Sequence, residues 1–284
     1  MKKIFFAVFL YITFTSFVFS NNYAQRIVSL VPAITETIFE INAQNQLAAR
    51  TDFCNFPAEA NSISSVGGFD GKSISLEKIL SYKPDLVCIA DGMHNHLIKP
   101  LENFGIKVFI SSAQNLSDIF SEIEGLAELT GHQQEASLCI NRIKEQLSQA
   151  ESLMKSQSPD KLRVYWEISS SPFFTCGNQS FISDLLQILG IRNIFSDIDK
   201  AYIQVNEESI IKRQPDVILF PDYHAKNTVT HIKNRKNWQY VPAVSNGRIY
   251  PVDSDLFSRP GPRIGYMALE LVKIFIQPEK GIEQ

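Results

Sequence analysis

The phrase SLEKILSYKPDLVCIA at residues 75–90 returns with the same pattern as NEESIIKRQPDVILFP at 206–221. In each, a glutamate opens a short apolar-periodic segment, Pro-Asp follows, and a run of buried-strand residues comes next. The spacing from Glu77 to Pro84 equals that from Glu208 to Pro215. A proline stops a helix, because it lacks an N–H and its ring clashes with the preceding turn. Each phrase is therefore one unit, a helix and then a strand, and a chain that carries it twice is built of two similar halves.

The surrounding pattern agrees. In the first half, the strand RIVSL (26–30) is followed by a helix AITETIFEI and a short strand at 47–50. A helix at 75–82, the buried strand DLVCIA, a helix around 95–104 and the strand KVFIS follow. In the second half come the strand LRVYWEI, helices at 178–189 and 207–213, strands DVILF and RIYPV, and a final helix from about Pro262 to Ile276. Such alternation predicts parallel sheets covered on both faces. Between the halves, His132 to Gln157 contains no proline or glycine, and Ala136, Ile140, Ile143 and Leu147 recur at helical spacing. One helix of that length reaches about 39 Å and acts as a rigid brace, unlike a Gly/Ser linker. The expected fold is α/β, with two Rossmann-like lobes of parallel sheet joined by a single long helix. The lobes are expected at 26–130 and 161–281, with the helix at 132–157. Two lobes that face one another make a cleft, the usual place for a ligand.

Composition narrows the class of function. The 284 residues are 44% hydrophobic and 20% charged, and the formal charge of −3 gives no basic surface for nucleic acid. Lys2 and Lys3 precede an apolar run from Ile4 to Phe19, and VFSNN follows, with Ser20 at the cleavage position of a secretory signal over residues 1–20. The competing reading is a membrane anchor, but sixteen residues fall short of the roughly 20 that cross a bilayer. No cysteine lies beside the cleavage region, so a lipoprotein anchor is not expected, and the mature chain is expected to be free in a periplasm. Cys54, Cys88, Cys139 and Cys176 lack the close pairs of a zinc site. Export permits disulfides. The competing reading is that Cys88, within an apolar strand, and Cys139, on a helix, are small buried hydrophobes.

Three segments carry a resemblance. RIVSLVPAITETIF, VGGFDGKSISLEKILSYKPDLV and VPAVSNGRIYPVDSDLFSRPGPRIG together resemble the periplasmic substrate-binding proteins of ABC importers for cobalamin and iron complexes, and its cobalamin-binding members above all. The likeness runs in order over nearly the whole mature chain. It implies a cargo of cobalamin or another corrinoid, with haem or a ferric siderophore as the alternative, and no catalytic cofactor. The implied pocket falls on Phe53 in TDFCNFP with Phe56 close by, Phe69 in GGFDG, Phe174 in SPFFTCG and Tyr202 in KAYIQVNEES. Asp255 and Arg259 match a polar pair at the cleft, and Ala33 matches a backbone contact. Phenylalanine stands at 53 and 69, and tyrosine at 202, where the family carries larger or more polar aromatics; flat apolar faces survive while indole and phenol hydrogen bonds are lost.

The residues suit such a cargo. A corrin is a broad apolar disc fringed with amides, so aromatic faces supply affinity and a fixed acid–base pair supplies orientation. Each aromatic also fits plain core packing in a chain with 20 phenylalanines, although Phe53 and Phe69 lie in Pro- or Gly-marked loops. Asp255 and Arg259 equally suit a local i,i+4 ion pair.

Glu77 and Glu208 each lie in the first turn of a helix, where an acid meets the macrodipole favourably. The resemblance adds a second role, docking of one acid per lobe onto arginines of a permease dimer that works with its ATPase subunits. It also implies a monomer whose only membrane contact is that transporter. His94, His96 and His224 lie just past strand ends, where open sheets bind ligands, and are read either as solvated loop residues or as metal ligands. No Gly-rich phosphate loop, GxSxG elbow or HExxH motif appears, so an enzyme is not expected.

Overall fold

The computed structural model describes residues 23–68, 70, 73–157, 162–222 and 225–276. The expected signal at 1–20 lies outside them, as do Phe69 and His224.

The first lobe runs β1 (Ile27–Ser29), α1 (Pro32–Glu40), β2 (Leu47–Arg50), α2 (Leu76–Ser81), β3 (Leu86–Ala90), α3 (Ile98–Asn103), β4 (Lys107–Ser111) and α4 (Leu116–Thr130). Its four strands form one parallel sheet in the order β2-β1-β3-β4. Then comes α5 (Gln133–Gln157), the expected long helix, about 37 Å from end to end. The second lobe follows with β5 (Arg163–Trp166), β6 (Ser169–Ser170), β7 (Phe173–Cys176), α6 (Phe181–Ile188), β8 (Arg192–Asn193), β9 (Tyr202–Gln204), α7 (Glu207–Arg213), β10 (Val217–Pro221), α8 (Ala225–Lys233), α9 (Pro242–Ser245), β11 (Ile249–Val252), α10 (Ser254–Phe257) and α11 (Ile264–Ile276). Here the parallel sheet has the order β11-β10-β5-β8.

The two copies of the repeated phrase fold alike. Helix α2 feeds β3, which lies between β1 and β4, and α7 feeds β10, which lies between β11 and β5. The Ser75 hydroxyl accepts the Lys78 N–H at 3.1 Å, and the Asn206 side chain accepts the Ser209 N–H at 2.8 Å, so both helices are N-capped. Both then end on a left-handed residue directly before the proline, Lys83 at φ 49° and Gln214 at φ 50°. The aspartate after each proline clamps the start of the neighbouring strand. Asp85 accepts the N–H groups of Gln25 (2.7 Å) and Arg26 (3.0 Å) at the head of β1. Asp216 accepts the Arg163 N–H at 2.9 Å at the head of β5 and is gripped by the same guanidinium. Those hydrogen bonds hold the Asp216 carboxyl below its usual range.

Both faces of each parallel sheet are covered, which is why β3 and β10 are apolar along their length. One hydrophobic cluster packs on the outer face of the first sheet, around Val28, Val87 and Leu101, and another on that of the second, around Tyr165, Phe220 and Trp238. The largest cluster lies between them and takes residues from both lobes and from the long helix, among them Ile34, Ile143, Leu219 and Met267. Helix α11 lies directly on α5 at Gly265. A Cβ there would stand 2.4 Å from Gln146 Oε1 and 3.1 Å from the Ile143 carbonyl oxygen.

Several elements differ from expectation. The helix expected at 95–104 begins as a 3-10 turn, Asn95–Leu97, and becomes α-helical at Ile98, which places Pro100 in the first turn where no N–H is needed. Helix α4 is not foreseen by the strand–helix alternation. It is fixed by an Asn115–Asp118 capping box and a left-handed Gly131. The second lobe also holds a small antiparallel sheet, β6-β7-β9, with Phe174 opposite Gln204 and Cys176 opposite Tyr202. All four cysteines are buried and free. Burial pushes the Cys139 thiol up to about 11 and that of Cys176 to about 12, so both stay protonated small hydrophobes.

Candidate functional site

The ends of the strands point into a cleft between the lobes. Its larger part, about 550 Å3, is walled by Val31, Pro32 and Ala33 at the head of α1, by Phe53, by the loop from Ser111 to Ala113, and by Ser254, Asp255, Ser258 and Arg259 from the second lobe. The loop is held from beneath. The Glu122 carboxylate accepts the N–H groups of Ser112 (2.6 Å) and Ala113 (2.8 Å) and the hydroxyl of Ser111 (2.9 Å). Burial nevertheless pushes the Glu122 carboxyl up, the hydrogen bonds offsetting only part of that cost.

An adjoining part of about 240 Å3 shares Ser258 and is aromatic: Trp166, Phe174, Phe181, Tyr202 and Phe257 line it. Trp166 ends β5 and packs against Phe257 with ring centroids 5.6 Å apart. Phe174 and Tyr202 reach this wall from β7 and β9, the antiparallel sheet that the sequence did not reveal. The smaller part is thus a set of flat rings, and the larger part mixes apolar residues with hydroxyls, an acid and a guanidinium.

Five of the expected site residues, Ala33, Phe53, Phe174, Tyr202 with Asp255, come together here, and Arg259 lines the same space. Ala33 is packed tightly, since a Cβ on Gly261 would approach its own Cβ to 3.2 Å. Arg259 is not a free donor. Its Nη1 donates to Glu36 Oε1 and to Asn55 Oδ1, both at 2.9 Å, and its Nη2 donates to the Phe53 carbonyl at 3.0 Å and forms an ion pair with Asp255 Oδ1 at 2.8 Å. The local i,i+4 pair with Asp255 is real, and it is one contact among four. Phe56 is not brought to the cleft: it lines an outer groove with Leu138 and Arg142 and lies 4.0 Å beneath the Arg263 guanidinium. Its proximity to Phe53 in sequence misleads because the loop turns between them.

Of the histidines, His94 differs from the solvated-loop reading. His94 is buried, not solvated, and its Nδ1 accepts the Ala90 N–H at 3.1 Å, which spends that lone pair. His96 is exposed. Among the described residues no group of three or more His, Cys, Asp or Glu comes together as a metal cage. Sequence reasoning missed Trp166, Phe257, Ser111 and Ser112. Trp166 and Ser111 both stand at the ends of parallel strands, the position that could have flagged them. Glu77 and Glu208 do not line the cleft; they stand exposed in the first turns of α2 and α7, with no ion pair among the described residues.

Two sheet-built lobes, one long helix and a cargo-sized cleft define a helix-braced, two-lobed binding protein. The chain belongs to the periplasmic binding protein family, whose model matches residues 27–256. It is 28% identical over 276 residues to the vitamin B12-binding protein of Vibrio parahaemolyticus serotype O3:K6, covering 97% of both chains. The structure is similar to that of the periplasmic vitamin B12-binding protein of Vibrio cholerae, with a TM-score of 0.70, 25% identity, and coverage of 89% of this chain and 98% of that one. It shares its fold with the periplasmic heme-binding protein of Roseiflexus sp. RS-1, at a TM-score of 0.77 and 22% identity over 89% of this chain and 98% of that one. These relatives are named as binding proteins, not enzymes. Among the described residues no helix is long and apolar enough to cross a membrane.

Proposed function

We propose that this chain is the exported cargo-binding component of an ABC importer, which takes up cobalamin or a related corrinoid between its lobes and delivers it to a permease dimer with its ATPase subunits. The observation that carries the reading is the split character of the cleft. Flat rings at Trp166, Phe174, Tyr202 and Phe257 line one part, and the adjoining larger part sets Ser111, Ser112, Ser254 and Asp255 among apolar residues that include Phe53. A disc with apolar faces and an amide fringe is the cargo that uses both parts, the rings by area and the hydroxyls by hydrogen bonds. Family relatives named for vitamin B12 over the full chain length support the same choice.

The test is a visible-absorbance titration of the purified protein with hydroxocobalamin, haem and a ferric siderophore, followed by gel filtration. One equivalent of corrinoid retained by the protein is expected; retention of haem or siderophore in its place, or of no complex, overturns the assignment. Delivery is placed on Glu77 and Glu208, one exposed acid per lobe. The double variant Glu77→Lys, Glu208→Lys is expected to abolish uptake in cells while the titration is unchanged, and weakened cargo binding by that variant would remove the docking role.

A further inference from the structure

Glu36 lies on α1 of the first lobe and is 1% exposed. A carboxylate so buried is tolerated only when its charge is matched and its lone pairs are filled. Two arginines from the turn that joins α10 to α11, in the second lobe, do both. Arg263 grips it with Nε to Oε2 and Nη2 to Oε1, each at 2.7 Å, and Arg259 adds Nη1 to Oε1 at 2.9 Å. Phe56 covers the Arg263 guanidinium from outside. Arg259 then faces the cleft with its remaining donors already directed, to the Phe53 carbonyl and to Asp255. Asn55 closes the ring. Its Oδ1 accepts from Arg259 at 2.9 Å and its Nδ2 donates to Asp255 Oδ2 at 2.8 Å. Loop 53–55 of one lobe and residues 255–263 of the other are therefore tied by a closed circuit of hydrogen bonds and an ion pair.

Resting on the cargo reading above, we propose that Glu36 and Asn55 are positioning residues of the cleft. Glu36 aims Arg259, and Asn55 locks Arg259 to Asp255, so that the Phe53 backbone and the Asp255 carboxylate are set before cargo arrives. Pre-setting a wall removes an ordering cost that binding would otherwise bear. The circuit also fastens the two lobes along this rim.

Asn55→Ala and Glu36→Gln test the proposal. Asn55 is exposed, so Asn55→Ala is expected to keep the wild-type denaturation midpoint, and it carries the test alone if Glu36→Gln fails to fold. In cargo-free protein, hydrogen exchange at residues 51–57 is expected to quicken several-fold in both variants, with β3 and β10 unchanged. Titration with hydroxocobalamin is expected to show about 10-fold weaker binding by Asn55→Ala. Unchanged exchange in Asn55→Ala overturns the proposal whatever the cargo, and quicker exchange with undiminished hydroxocobalamin binding overturns the positioning role. Should wild type bind no corrinoid, the cargo assignment falls, and the exchange measurement still decides whether the circuit holds the loop.

Discussion

Phe53→Ala tests the cleft most directly. The ring is 56% exposed at the cleft mouth. A phenylalanine carries on the order of 200 Å2 of surface, so about 110 Å2 stands ready for a cargo to cover. At about 25 cal/mol per Å2, full coverage contributes about 2.8 kcal/mol and half coverage about 1.4 kcal/mol. The variant should therefore bind hydroxocobalamin about 10- to 100-fold more weakly. Because the ring is exposed, folding stability should change by less than about 0.5 kcal/mol. Phe56→Ala is the matched control. It shares the loop but faces the outer groove beneath Arg263, so its cargo affinity should stay within about twofold of wild type, a difference of about 0.4 kcal/mol. Both are read by the same absorbance titration, with denaturation curves alongside. Equal losses in the two variants, or none in Phe53→Ala, would refute the placement of the cleft.

Two further outcomes concern the frame. Gly265→Val puts a branched side chain against the Ile143 carbonyl, where even a Cβ stands at 3.1 Å. Overpacking there should cost about 1–3 kcal/mol in chemical denaturation, and a gain in stability would show that the helices can part freely. Glu122 sets a pH signature. Its folded-state value lies above the ordinary 4.5 because of burial, so its contribution is complete below 4.5 and is lost as pH rises through the raised folded value. Glu122→Gln should flatten stability against pH over that window, and superimposable profiles would contradict the assignment.

What the sequence disclosed follows the range of the interactions. The repeated helix–proline–strand phrase is local, and α2–β3 and α7–β10 form where the pattern places them. The aspartates of those phrases make sense only in three dimensions, because Asp85 and Asp216 accept backbone N–H groups at strand heads 60 and 53 positions earlier, those of Gln25 and Arg163. Strands β6, β7 and β9 are two to four residues long, too short to show a period, yet they deliver Phe174 and Tyr202 to the cleft. The resemblance located Arg259 and its neighbour Asp255. It could not disclose that the guanidinium is claimed by Glu36, 223 positions away.

The shared interior has a consequence for how the molecule comes apart. Since Ile34, Ile143, Leu219 and Met267 belong to one apolar cluster, neither half owns a complete core. Heating should melt both together in one calorimetric step, and a fragment that stops short of residue 133 should fail to hold its shape. Severing that rod would remove no mere tether but the middle of the protein.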